Sequence, residues 1–144
     1  MRRDTLEALE QKFRESPFLK GGEVPRTEID QAATALGVTL PPDYVEFVEK
    51  FGGGIVGPYP IFGLRKVNAM GRAFSVVNVT NDFRKQNWRG TENWIVISED
   101  HAGNPIGIAP DGKVWISDHD FGQVATVAES FEHYIRKKCL KMDS

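Results

Sequence analysis

Apolar and polar positions first alternate at helical spacing between Asp4 and about Glu15, where Leu6, Leu9 and Phe13 recur among charged residues and Pro17 lies just beyond. The spacing predicts an amphipathic helix. A second such run carries Ile29, Ala32, Ala33 and Leu36, opened by Thr27 with Asp30 three residues on, an approximate capping box, and closed by Gly37. The third is marked most heavily, in "LGVTLPPDYVEFVEKFGGG", Leu36 to Gly54. Pro42 suits a first helical turn, where its missing N–H would have had no partner. Tyr44, Phe47, Val48 and Phe51 then form the buried stripe, and Gly52 can take the left-handed conformation that stops a helix. With Pro41 as the cap, Leu40 is placed to pack on Val45 as a hydrophobic staple. Asp43 and Lys50 complement the two ends of the helix dipole.

Beyond the glycines the pattern shortens. "IVGPYPIFGL" has strand-forming residues broken by Pro58 and Pro60, which suit an edge strand or a looped pair. In "FSVVNVTNDFRKQN" Val76, Val79, Thr80 and Phe83 have helical spacing, although the β-branched run would also suit a strand; the helical reading is preferred. Three strand signals follow, around Trp94 to Ile97, around Ile106 to Ala109, and from Lys113 to Ser117. The Asp111-Gly112 dipeptide between the last two supplies positive φ values for a tight hairpin turn. Thr126 and Glu129 read as a capping box for a closing helix striped by Phe131, Tyr134, Ile135 and Cys139. Helices followed by a meander predict an α+β fold, one antiparallel β-sheet packed against helices, with helices at both termini.

Composition narrows the class. A chain of 144 residues is expected to be one domain, 1–144, with residues 1–20 a helical extension of it. Its length is enough to bury roughly 68–70% of the unfolded surface. A single cysteine, Cys139, forbids an internal disulfide, and no apolar run reaches the length of a signal peptide or a bilayer span, so a cytoplasmic location and no membrane partner are expected. The net charge of −2 disfavours direct nucleic-acid binding. Basic residues gather between Arg65 and Arg89, and acidic ones between Glu92 and Asp120.

Candidate chemistry is sparse. In "SDHDF" an Asp-His pair could ligate a metal or orient a base, but alternation along a continuing strand would turn His119 away from Asp118 and Asp120. A hydrogen-bonded strand end or a partner contact is the better reading. His101 sits in a turn with a local role, and His133 is expected to be exposed. Cys139 reads as a buried structural thiol: lysines lie nearby in sequence, but no base is paired with it. The glycine triplet lacks the Lys and Ser/Thr of a phosphate loop. Of three tryptophans, Trp94 and Trp115 fit strand patterns and the core, whereas Trp88 in "RKQNWRG" is the best candidate for an exposed aromatic anchor. No cofactor, metal or catalytic set is expected.

The order of these elements resembles the SUKH superfamily, in particular its Smi/Knr-like branch. Leu36-Gly37 and Leu40-Pro41 leading into Asp43-Tyr44 and Phe47, then Gly52 and Gly53, carry the resemblance, supported by Gly103-Asn104 and the segment Val114 to Asp120. The match covers roughly Thr27 to Leu140. It implies the same α+β fold. It also implies a non-enzymatic protein-binding role, as an immunity protein that neutralises a toxin, often a nuclease, delivered between bacteria, or as a regulatory scaffold. An acidic ridge of Glu99, Asp100, Asp118 and Asp120, with His119, would complement the basic cleft of a nuclease. Trp88 is a candidate anchor for the same partner. A scaffold would instead recognise peptides through "GPYPIF", which carries Tyr59. A monomer or weak dimer is expected.

Overall fold

The computed structural model describes residues 1–120 and 122–142. Three helices open the chain: α1 (Arg3–Glu15), α2 (Arg26–Leu36) and α3 (Pro42–Phe51). A hairpin of β1 (Gly54–Val56) and β2 (Tyr59–Ile61) follows, then α4 (Val76–Lys85). A meander of β3 (Ile95–Glu99), β4 (Pro105–Ile108), β5 (Val114–Asp118) and β6 (Gln123–Ala128) forms a four-stranded antiparallel sheet in that order. α5 (Phe131–Tyr134) runs into a π turn over Ile135–Cys139. The fold is α+β, as the pattern predicts. The β1–β2 hairpin is a two-stranded sheet of its own, tied to the larger one where the Phe62 amide donates to the Ile97 carbonyl at 2.8 Å.

α3 is built as its sequence dictates. Pro41 caps it, Pro42 fills the first turn, and Tyr44, Val45, Phe47, Val48 and Phe51 are buried. Gly52, at φ 73°, turns the chain out of the helix. The Tyr44 hydroxyl donates to the Phe62 carbonyl at 2.7 Å, while Phe131 meets the rings of Tyr44 and Phe47 at 5.1 and 5.6 Å. These edge-on contacts join α3 to α5 at the centre of one apolar cluster, which reaches from Leu9 and Phe13 to Cys139. α1 is fastened to the C-terminal segment by polar contacts as well. Thr5 Oγ1 donates to Glu132, and buried Arg136 donates to Asp4 and Thr5 at 2.9 and 2.8 Å.

α4 confirms the helical reading, but its cap is Ser75, whose hydroxyl accepts the Asn78 amide. It follows the outer edge of β3, where Thr80 Oγ1 accepts the Val96 amide at 2.9 Å and so satisfies a strand donor that has no neighbouring strand. Arg84, one turn further on, donates to the carbonyls of Leu36, Thr91 and Trp94. Its role is to tie α2, α4 and the start of β3 together.

Several local expectations change. α2 begins at Arg26 with Pro25 as its cap, so Thr27 makes no capping bond. Thr126 is not a cap either: it lies in β6 opposite Trp115, because ladder pairing extends the strand to Ala128. The true start of α5 is Ser130, whose hydroxyl accepts the His133 amide while His133 Nδ1 accepts the Glu129 amide. That reciprocal pair leaves His133 half-buried, not exposed. In the β4–β5 turn only Gly112 has positive φ, 83°, giving a glycine-terminated turn in which Ala109 and Lys113 remain paired. Trp94 is in the core, lying against Gly107, whereas Trp115 is only half-buried and donates from its indole to Asp111.

Candidate functional site

The β3–β4 turn, the β5–β6 turn and the β1–β2 turn meet at one end of the sheet. A bracket of hydrogen bonds links them. Asp100 accepts the amides of Ala102 and Asn104 on one oxygen and the Asn104 side chain on the other, and Asn104 in turn accepts the His119 amide at 3.0 Å. Asn104 is itself buried. On the other side, His101 Nε2 donates to the Pro58 carbonyl at 3.2 Å and its ring stacks on Tyr59 at 5.5 Å. The role of His101 therefore extends past its own turn.

Trp88 reaches the same end. After α4, Asn87 adopts a left-handed φ of 58°, a conformation asparagine tolerates better than most residues. The chain then doubles back so that the indole meets Phe83 edge-on at 5.4 Å and His119 at 5.0 Å. The indole N–H donates to Gln86. A cleft of about 390 Å³ opens there between Trp88 and Arg89 on one wall and Asp118, His119 and Gly122 on the other. Trp88 is thus half-buried, partly held by neighbours while it lines the cleft.

The four acids expected to form a ridge have different surroundings. Asp100 is occupied by the bracket. Asp118 accepts the Asp120 amide at 3.0 Å and lines the cleft, and Asp120 is exposed. β5 ends at Asp118, so the alternation expected to turn His119 away from Asp118 stops short of it, and both residues line one cleft. Arg89 on the facing wall tempers the acidity. Glu99 belongs to a separate groove of about 270 Å³, lined by Ile55, Pro58, Pro60, Phe62 and Met70. The segregated basic stretch is likewise partly used up: Arg65 is paired bidentately with Glu28 at 2.5 and 3.0 Å, and Arg84 binds carbonyls.

Burial, reinforced by the charge of Asp100, raises the Glu99 pKa above the ordinary carboxylate value. The folded state then holds this proton more tightly than the unfolded chain does. Stability attributable to Glu99 is accordingly greatest below its unfolded pKa and falls as pH rises through the raised one. Glu99→Gln should unfold at a higher temperature than the parent at pH 7 and lose that advantage below about pH 4. Thermal unfolding across this range checks it; a variant already less stable at pH 7 would show that the ionised carboxylate makes a stabilising contact.

Elsewhere the titratable groups are structural. Burial pushes the Cys139 thiol up to about 12 in spite of nearby Lys141, so it is a poor nucleophile. The Tyr134 hydroxyl, also raised chiefly by burial, bonds Ser98, which donates to the Pro60 carbonyl. Among the described residues no three His, Cys, Asp or Glu side chains converge in a way that could hold a metal ion, and no helix is long and apolar enough to cross a membrane.

Sequence reasoning singled out Trp88, Asp118 and His119, which the fold places around one cleft, and Tyr59, which it places beside His101. It missed His101 and Asn104 as the residues that join the turns. The Asn at position 87, just past a helical pattern, was the one local sign that the chain would reverse and carry Trp88 back. Compared with known proteins, the chain matches the model of the SMI1 / KNR4 family (SUKH-1) over residues 23–137. None of the curated proteins matches it.

Proposed function

The chain belongs to the SMI1 / KNR4 family (SUKH-1), and from that membership and the geometry at the end of the sheet we propose that it is a non-enzymatic immunity protein that caps a toxin domain in the bacterial cytoplasm. The observation that supports this reading most is the Trp88–His119 cleft, with Asp118 in its lining and the exposed Asp120 two residues further along the chain. An aromatic partly held by Phe83 and Gln86 is already ordered before binding, so little side-chain entropy is lost when a partner covers it. The flanking carboxylates suit the basic phosphate-binding cleft of a nuclease. Glu99, Asp100 and Tyr59 extend the same end of the molecule and complete the proposed contact surface.

The function is tested by asking whether the gene immediately upstream encodes a toxin domain and by co-expressing that domain with this chain. Rescue of growth together with a stable one-to-one complex is the expected result, and continued killing by a toxin that the purified chain fails to bind would overturn it. Within that complex, Asp118→Asn with Asp120→Asn should slow association and flatten its dependence on salt while leaving dissociation nearly constant. Unchanged association across ionic strengths would remove these two acids from the interface.

The second reading is a regulatory scaffold that binds peptides of endogenous proteins. It is favoured by the Gly57–Phe62 segment, whose prolines and Phe62 line an apolar groove. A solitary gene whose product captures several endogenous proteins through that segment would support it over immunity.

A further inference from the structure

The groove beside the β1–β2 hairpin combines two properties that free solvent does not reward. Most of the side chains that line it are apolar, among them Ile55, Pro58, Pro60, Phe62 and Met70. Glu99, half-buried at the last position of β3, lines it with them. Among the described residues no lysine, arginine or histidine forms an ion pair with Glu99, and neither of the influences that shift it favours its charge. The charged group that acts on it, Asp100, has the same sign and is committed to the loop bracket. One exposed apolar side chain belongs to a neighbouring turn. The turn Pro17–Leu19 packs against β1 and the 68–70 turn, and its Phe18 is 63% exposed, the large hydrophobic side chain left open among the described residues.

We infer that this groove receives the side chain of a lysine or arginine from a protein partner, its methylene stem along Pro58, Pro60 and Met70 and its cationic head against Glu99. The inference rests on the reading of this chain as a protein-binding domain and names what one part of its surface takes. Two alternatives fit less well. A wholly apolar side chain would bury Glu99 further with no counter-charge, and an anion would meet a carboxylate of its own sign. A long-stemmed cation matches both properties of the groove, because its methylenes need apolar side chains to lie on and its head needs an acceptor. It would also compensate the like-charge pressure of Asp100 on Glu99.

The test uses the full chain without any toxin, so a failed immunity assignment and a failed groove assignment remain separable. n-Butylguanidinium chloride serves as the probe and n-butylurea, of the same shape without the charge, as its control. Methyl resonances of Ile55, Ala69, Met70 and Ala73 are followed by NMR during titration of the parent and of Glu99→Gln. The expected result is a saturable shift of these methyls with butylguanidinium, at least fivefold weaker with butylurea and at least fivefold weaker in Glu99→Gln. Equal binding of the urea, retention of guanidinium binding in Glu99→Gln, or shifts confined to the Trp88–His119 cleft would each overturn the assignment.

Discussion

Gly52→Ala should cost this protein about 2–5 kcal/mol, enough to unfold a domain of ordinary stability, about 5–15 kcal/mol, under mild stress. Two effects add. At φ 73° a Cβ meets the left-handed penalty of about 1–2 kcal/mol. The same atom would overlap the Gly22 carbonyl oxygen and crowd the Arg65 side chain, and relieving that overlap by backbone displacement costs a further 1–3 kcal/mol or so. Neither neighbour is free to retreat. Gly22 donates its amide to Phe51, and the Gly52 carbonyl accepts the amides of both Leu64 and Arg65. Two companion variants separate the effects. Gly37 has a similar φ of 68° with nothing near its missing Cβ, so Gly37→Ala should lose only the left-handed penalty. Gly63 has no positive φ, but its Cβ would overlap the Gly52 carbonyl, so Gly63→Ala should lose only the steric part. Urea unfolding of all three, read by tryptophan fluorescence, checks the sum. Equal losses at Gly37 and Gly52 would mean that the close approach carries no cost.

This joint explains why the ends of α3 were so plain in the sequence. Pro42 and Gly52 act through their own backbone, and effects that live within a few residues are visible in a few residues. The stripe of Tyr44, Phe47, Val48 and Phe51 was legible for the same reason, as was the hairpin turn at Gly112. What the triplet "GGG" could not reveal is its second duty. Gly52 and Gly53 stop a helix, but they also let residues 21–22 and 63–65 pass against the chain, with the Gly21 amide shared between Phe51 and Gly53 carbonyls. That requirement comes from segments far away along the chain.

The misreadings have the same origin. Thr126 and Glu129 satisfy the local rule for a capping box, yet Thr126 stays in β6 because Trp115 holds its partner position across the ladder. Ser130 then takes over as the cap. Arg84 looked like part of a basic patch until three carbonyls from α2, the 91–93 turn and the start of β3 claimed its guanidinium. The acids divided along similar lines. Asp100 is consumed by its own turn through short-range bonds that an Asx-rich loop suggests, but the bond from Asn104 to the His119 amide, which brings two turns to one place, depends on strand register. Charge counted along the sequence therefore overstates the ridge, and ring pairings such as Tyr59 with His101 and Trp88 with His119 become visible only once the sheet is assembled.

In the complex with the proposed toxin partner, Trp88→Ala should raise Kd about 30- to 1,000-fold, the roughly 2–4 kcal/mol that a central tryptophan carries in an interface. Most of that loss should be in the dissociation rate, because the indole contributes packing and not long-range attraction. The contrast with Asp118→Asn and Asp120→Asn is the informative part: those changes act on encounter and are screened by salt, whereas the tryptophan effect should persist at high ionic strength. A structural role must be separated from a binding one, since the ring also packs on Phe83 and His119. Trp88→Phe keeps an aromatic against Phe83 but withdraws the indole edge from the cleft and its N–H from Gln86. If Trp88 anchors the partner, Trp88→Phe should weaken binding by roughly tenfold or more with little change in the unfolding midpoint. If it serves the fold alone, Trp88→Ala should lower the midpoint while the folded fraction binds with unaltered dissociation kinetics, and the cleft would then have to give up its place at the centre of the interface.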